Sequence, residues 1–280
     1  MEHSFNATHL FRRQVALPSE HGAWVFLFSP LLIGLFAGGS WSVASLYLIV
    51  AALATFLIRQ PATTAVKVYS GRRARRELPA AWFWLGIYGL VASLAMIGLA
   101  WQGFGYLFIL ALPGIPVFAW HLWLVSRRAE RRQLGVELVG SGVLALAAPA
   151  GYWIGVGEAE PLGWLLLALS WLQSAASIVY AHLRLEQREL KKIPDTAMRI
   201  RMGWRALLYA SFNLLLVIGL SMGRITPPLL PLPYALQWAE SLYGTLRPAA
   251  GYRPTAIGVR QLIVSSLFTL LFILAWRVVL

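Results

Sequence analysis

The chain has no cysteine, which excludes disulfides, thiolate nucleophiles and cysteine-ligated metals. Acidic residues are scarce. Eleven Asp and Glu stand against 24 Lys and Arg, and Asp occurs once, at Asp195. A metal centre built from carboxylates therefore has few residues to draw on. Charge of both signs together reaches only 12% of the 280 residues, against roughly 25% in an ordinary globular domain. What fills the chain instead is apolar: 59% hydrophobic residues, among them 13 Trp, 13 Phe and 10 Tyr. No soluble fold of this size hides that much apolar surface, and a disordered chain or a coiled coil has a different composition. The solvent of this protein is largely lipid.

The formal net charge of +13 suggests nucleic acid in a soluble protein. Here the basic residues, 21 of them Arg, sit in short clusters between apolar runs. Such clusters orient a membrane protein and meet anionic lipid headgroups, so membrane lipids are the expected partner and no nucleic acid is expected. The chain opens on about seventeen polar-to-mixed residues, which reads as a cytoplasmic lead (residues 1–20) rather than a secretory signal peptide.

A spanning helix needs about 20 mostly apolar residues. Nine stretches qualify, near residues 22–37, 41–58, 81–101, 104–125, 134–156, 161–181, 204–222, 227–246 and 261–280. The eighth is the least regular, since it opens with Pro227 and Pro228 and carries Pro231, Pro233 and Glu240. The expected fold is an all-α polytopic bundle of about nine transmembrane helices in one integral membrane domain, residues 1–280. With the N-terminus inside, 22 of the 24 basic residues fall on the inner side. That asymmetry predicts a cytoplasmic N-terminus in a bacterial inner membrane. Long inner loops are expected at about 59–80 and 182–203, with tight turns on the other side, so the inner face is the expected working face.

Three stretches carry candidate chemistry. The first is Glu20-His21-Gly22-Ala23-Trp24 at the first span. It reads either as a well-formed helix entry with an interfacial Trp24, or as the mouth of a cavity where His21 moves a proton or meets a headgroup. The second runs from Arg59 to Lys67. These two cations either snorkel to lipid phosphate or face an anionic substrate. The third is His182-Leu-Arg184-Leu-Glu186-Gln-Arg188-Glu189. His182 and Glu186 are spaced to share a helix face, and Glu186 with Glu189 offers the oxygen ligands that Mg²⁺ takes. The plain alternative is a solvated amphipathic helix laced with ion pairs. Within the spans, Gln173 and Asn213 mark either interhelical hydrogen bonds or a cavity wall.

Two resemblances enter at these residues. The opening Glu20-His21-Gly22-Ala23-Trp24, followed by Pro30 and Gly34, resembles the YwiC-like family of bacterial membrane proteins. The wider layout, with long inner loops after the second and sixth spans, resembles the UbiA superfamily of membrane prenyltransferases. The segment from Tyr180 through Glu186 and Glu189 to Asp195-Thr-Ala-Met-Arg-Ile-Arg-Met-Gly203 is similar to that superfamily's second motif. The superfamily's first, Asp-rich motif has no counterpart here, since no acid lies between Arg59 and Lys67. The resemblance implies a UbiA-like bundle that binds or transfers an isoprenoid or other anionic amphiphile, with Mg²⁺ as the cofactor if prenyl transfer occurs. On that reading His21, Glu186 and Glu189 are the catalytic candidates, with Glu186 and Glu189 also the metal ligands. Trp24, Arg59, Lys67, His182, Arg184, Arg188 and Asn213 are the substrate-binding candidates. A transporter or an accessory membrane protein without chemistry is the alternative.

Overall fold

A computed structural model describes residues 13–18, 21–129 and 133–278. Among the described residues there is no strand. Seven helical segments are long and apolar enough to cross a bilayer, and Ala23–Gly38 is apolar but shorter. The protein is a polytopic helical membrane protein, and its residues fall into two compact units.

The first unit holds residues 41–136 with the N-terminal segment. It contains α1 (Arg13–Ala16), α3 (Val43–Tyr69), α4 (Leu78–Trp101) and α5 (Gly114–Ser126). Helix α3 does not stop at Ile58, the end expected from the apolar stretch before Arg59, but continues for eleven residues to Tyr69. The reason is packing. Pro61, Ala62, Thr64, Ala65 and Val68 are buried, and Ala65 joins a core with Val15, Ala80 and Ala81. That burial outweighs the helix bond Pro61 cannot make. The expected loop at 59–80 therefore shrinks to the short connection between Tyr69 and Leu78. The N-terminal strap is tied on by the Gln60 side chain, which donates to the Gln14 carbonyl at 2.8 Å, and by the Tyr88 hydroxyl, which donates to the Ala16 carbonyl at 3.1 Å. Arg72 reaches the Val125 carbonyl at 2.7 Å, placing a cation at the C-terminal end of α5 where the helix dipole favours it.

The second unit holds residues 22–40 and 137–280. It contains α2 (His21–Gly38), α6 (Leu134–Ala145), α7 (Ala147–Val156), α8 (Pro161–Gln187), α9 (Thr196–Met222), α10 (Pro231–Leu246) and α11 (Pro254–Arg277). Residues 134–156 were expected as one rod. They form two helices broken at Leu146, because Pro149 has no N–H for the Ala145 carbonyl. Helix α7 ends where Gly157 turns into the left-handed region at φ +98°.

Helices α2 and α7 cross through matched small residues. Gly34 and Gly38 on α2 meet Ala148, Gly151 and Gly155 on α7, and a Cβ at Gly155 would sit 2.6 Å from the Gly38 carbonyl carbon. Lipid tails are as apolar as leucine, so membrane helices associate by this kind of close approach rather than by hydrophobic exclusion. Ser29 and Thr269 add a 2.6 Å hydroxyl contact between α2 and α11.

Helix α8 also outruns its expected end at Ala181, extending to Gln187 because Leu183, Arg184 and Gln187 are buried. Helix α9 begins at Thr196, capped by the chain's single aspartate: the Asp195 carboxylate accepts from the Met198 N–H at 3.1 Å. Of the expected loop at 182–203, only residues 188–195 lie outside helices. The irregular eighth stretch is helical from Pro231: Pro227 and Pro228 precede the helix, and Pro231 and Pro233 fall in its first turn, where missing N–H groups cost nothing.

Candidate functional site

In the second unit, the C-terminal ends of α8 and α10 meet the N-terminal end of α11, and polar side chains converge there. Tyr180 lies seven residues before the end of α8, Glu240 six before the end of α10, and Arg260 six after the start of α11. At 1.5 Å rise per residue, all three sit about 10 Å in from that end of the bundle.

Arg260 grips Glu240 with a two-pronged fork, Nε to Oε1 at 2.6 Å and Nη2 to Oε2 at 2.7 Å. Tyr180 donates its hydroxyl to the same Oε1 at 2.7 Å. The Arg260 guanidinium also stacks over the Tyr243 ring at 4.4 Å. Glu240 is nearly buried, with its side chain 10% exposed, while Arg260 keeps 42%. At this depth each charge is stabilised by its partner. Tyr180 can reach Glu240 because position 244 is glycine, and any Cβ there would collide with the Tyr180 ring and hydroxyl.

Behind the pair lies a small cavity of about 20 Å³, room for one water-sized group. Gln173, Ser177, Gln237, Ser241, Gln261 and Ser265 line it, together with Tyr180 and Glu240. Gln237 donates to the Gln173 carbonyl at 2.9 Å, and its buried Oε1 has no partner among the described residues. In front of the pair lies a larger cleft of about 690 Å³, within the range of small-molecule sites. Tyr180, Arg184, Tyr252 and the first turns of α11 wall it, with Arg260 among them. Val259 and Ile263 line this cleft and are more than half exposed, so it opens through an apolar lip.

Arg184, expected to bind substrate, is 3% exposed. Its Nη1 donates to the carbonyls of Gly244 at 2.9 Å and Arg247 at 2.7 Å, and to the Gln187 Oε1 at 2.9 Å. It therefore caps the C-terminus of α10, where unpaired carbonyls and the dipole both favour a cation. Its plane also lies against the Tyr180 and Tyr252 rings. These hydrogen bonds all run through Nη1, and the residue also lines the cleft.

The other expected site residues fall as follows. His21 opens α2, but its side chain, like Glu20, lies outside the described residues. Trp24 stacks on Phe28 one turn along α2, at 5.9 Å. Arg59 and Lys67 are half-buried on α3 in the first unit, whereas residues 182–189 belong to the second, and each stretch is held within its own unit. His182 pairs with Glu137 on α6 at 3.0 Å rather than with Glu186 on its own helix. Arg188 is half-buried, and its carbonyl accepts from the Gly251 N–H at 3.2 Å. Asn213 is buried and donates to the Leu172 carbonyl at 2.8 Å, which pins α9 to α8. Glu186 and Glu189 are exposed at the end of α8.

The donor set bears on the implied Mg²⁺. A diphosphate clamp needs carboxylates from two motifs around one cation. The stretch 59–67 offers none, and no group of three or more His, Asp or Glu suited to a metal occurs among the described residues. These residues do not fit such a clamp.

Sequence reading missed the triad of Tyr180, Glu240 and Arg260. Glu240 stands in the irregular eighth stretch, and Arg260 falls just before the ninth, which starts at 261. The available signal was a lone acid inside one apolar stretch and a lone Arg at the edge of the next, which in lipid implies a partner.

Residues 17–152 match the family model described as YwiC-like protein. The chain is also 25% identical over 182 residues to the "Uncharacterized protein YwiC" of Bacillus subtilis (strain 168), covering 62% of this chain and 68% of that one. No solved structure matches. The family-matched segment ends before α8, so the triad lies beyond it. Over residues 17–152 the chain is thus similar to the YwiC-like family.

Proposed function

We propose that the protein binds a membrane amphiphile with an anionic, phosphate-bearing head, an isoprenoid lipid being one such class, and that the site is the cleft in front of Arg260. The observation that carries this reading is the cleft's composition. It is a cavity of about 690 Å³ with an apolar lip and two guanidiniums on its wall, Arg184 and Arg260. The chain enters past Val259 and Ile263, and the head meets the cations and the rings of Tyr180 and Tyr252. Arginine suits this task because its planar fork matches phosphate oxygens and its charge is permanent.

The cleft lies at the arginine-rich end of α8, α10 and α11, beside Arg188, Arg247 and Arg253, which the charge distribution assigns to the cytoplasm. The reading is one of binding and presentation. A prenyl transfer assisted by Mg²⁺ is not part of it, because Glu186 and Glu189 have no second carboxylate motif to complete a clamp.

The test is lipid retention. Protein purified in a phosphate-free detergent is extracted and its bound lipid identified. Wild type should retain a phosphate-bearing amphiphile in roughly stoichiometric amount, and Arg260→Gln should lose it. Equal retention by both, or retention of neutral lipid alone, contradicts the reading.

A further inference from the structure

We infer that Glu240 is a tethered stand-in for the ligand's anionic group, and that it selects phosphate-bearing over carboxylate-bearing amphiphiles. The inference deepens the reading above and rests on it.

The geometry is that of a recognition contact already made. Glu240 takes Nε and Nη2 of Arg260 through both carboxylate oxygens, at 2.6 and 2.7 Å. That edge of the guanidinium is the one an incoming oxyanion would use. Arg260 lines the open cleft in front, while Glu240 lines the small polar cavity behind. The pair thus forms the wall between the two. The rear cavity gives the carboxylate a place to stay when Arg260 turns away. Tyr180 keeps donating to Oε1, and Ser177 lines the same cavity. The small void there gives the Glu240 carboxylate some room to shift.

Exchange then has a clear selectivity. A ligand carboxylate offers Arg260 the same two oxygens that Glu240 already supplies, and Glu240 is held in place covalently at high effective concentration. The incoming carboxylate gains nothing to offset its own immobilisation. A phosphate monoester brings up to two charges and three strong acceptor oxygens. It meets Arg260 with two of them and leaves the third for the Arg184 guanidinium, which lines the same cleft. Only the phosphate adds a contact that Glu240 cannot imitate.

The experiment measures binding to the full chain in maltoside detergent, which contains no phosphate. The probes are farnesyl monophosphate, farnesoic acid and inorganic phosphate. Wild type is expected to bind farnesyl monophosphate about tenfold or more tightly than farnesoic acid, and inorganic phosphate far more weakly than either lipid. Glu240→Gln removes the stand-in at nearly constant volume. It should raise farnesoic acid affinity about tenfold or more and erase most of the preference. Glu240→Asp keeps the charge and withdraws it by one methylene, so it should shift the preference the same way by less, and it covers the case in which Glu240→Gln does not fold. Arg260→Gln should lose both lipids. An unchanged phosphate-to-carboxylate ratio in Glu240→Gln and Glu240→Asp, with wild type binding farnesyl monophosphate, overturns the stand-in while leaving the amphiphile site intact. Failure of wild type and Glu240→Gln to bind either lipid overturns both. Inorganic phosphate binding as tightly as farnesyl monophosphate makes this a free-phosphate site and overturns the amphiphile.

Discussion

Replacing Arg184 by methionine separates a structural cap from a ligand contact. The change keeps much of the stem's volume and removes the guanidinium. It deletes three hydrogen bonds at 2.7–2.9 Å, two of them to carbonyls at the C-terminus of α10. The Gly244 carbonyl keeps a partner, because Gln187 Nε2 also donates to it at 3.1 Å. The Arg247 carbonyl loses its donor. A hydrogen bond from a charged group contributes about 1.5–3 kcal/mol net. A cation in a partly buried helix terminus adds up to about 2 kcal/mol. With one carbonyl stranded and the dipole uncompensated, the loss should be about 3–5 kcal/mol. Arg184→Lys restores the charge as a point but not the fork, and should recover about half. The assay is reversible or kinetic unfolding in detergent, with lipid binding measured on the folded fraction. If Arg184→Met is as stable as wild type while lipid binding disappears, the residue is a ligand contact and its role as a cap is wrong.

Further outcomes follow from the same contacts. Gly155→Ala places a Cβ against the Gly38 backbone, which cannot step aside as a side chain can. It should cost about 1–3 kcal/mol, whereas Gly140→Ala, with open space at its Cβ, should be neutral or stabilising in the same melt. Asn213→Leu should change stability by less than about 1 kcal/mol, because one interhelical bond in a membrane bundle contributes little and the buried Oδ1 already lacks a partner. Glu186→Gln with Glu189→Gln should leave lipid retention and melting unchanged and insensitive to added Mg²⁺. A loss of binding in that double variant would restore the acidic pair as the site.

Much of this fold is written in the hydropathy of the chain. Among the described residues each of the nine apolar stretches is largely helical, and seven helical segments are long and apolar enough to span, because a backbone in lipid has to satisfy its own N–H and C=O groups. The ends were less legible. Arg59 reads as an exit from the membrane, yet α3 runs on to Tyr69 because Ala62, Ala65 and Val68 are buried against their neighbours. No local pattern records those neighbours. In the same way His182 and Glu186 share a face by spacing, but His182 turns to Glu137, 45 positions away in the chain. The triad was hidden for a related reason. Its three members lie 60 and 20 positions apart on three helices, so no motif of fixed spacing contains them. In the sequence Tyr180 is only the start of a motif, and the tightness at Gly244 that admits its hydroxyl is visible only once the helices are packed.

The central claim, a phosphate-bearing amphiphile seated in the cleft walled by Arg184 and Arg260, is tested most directly by photolabelling. A photoactivatable isoprenyl monophosphate is incubated with the full chain in detergent, irradiated, and the modified peptides are mapped. The account predicts label on the stretch from Tyr252 to Val264 and near Tyr180, competed away by unlabelled farnesyl monophosphate and absent in Arg260→Gln. Label spread evenly over the lipid-facing helices, or concentrated on α3 beside Arg59 and Lys67, would contradict it.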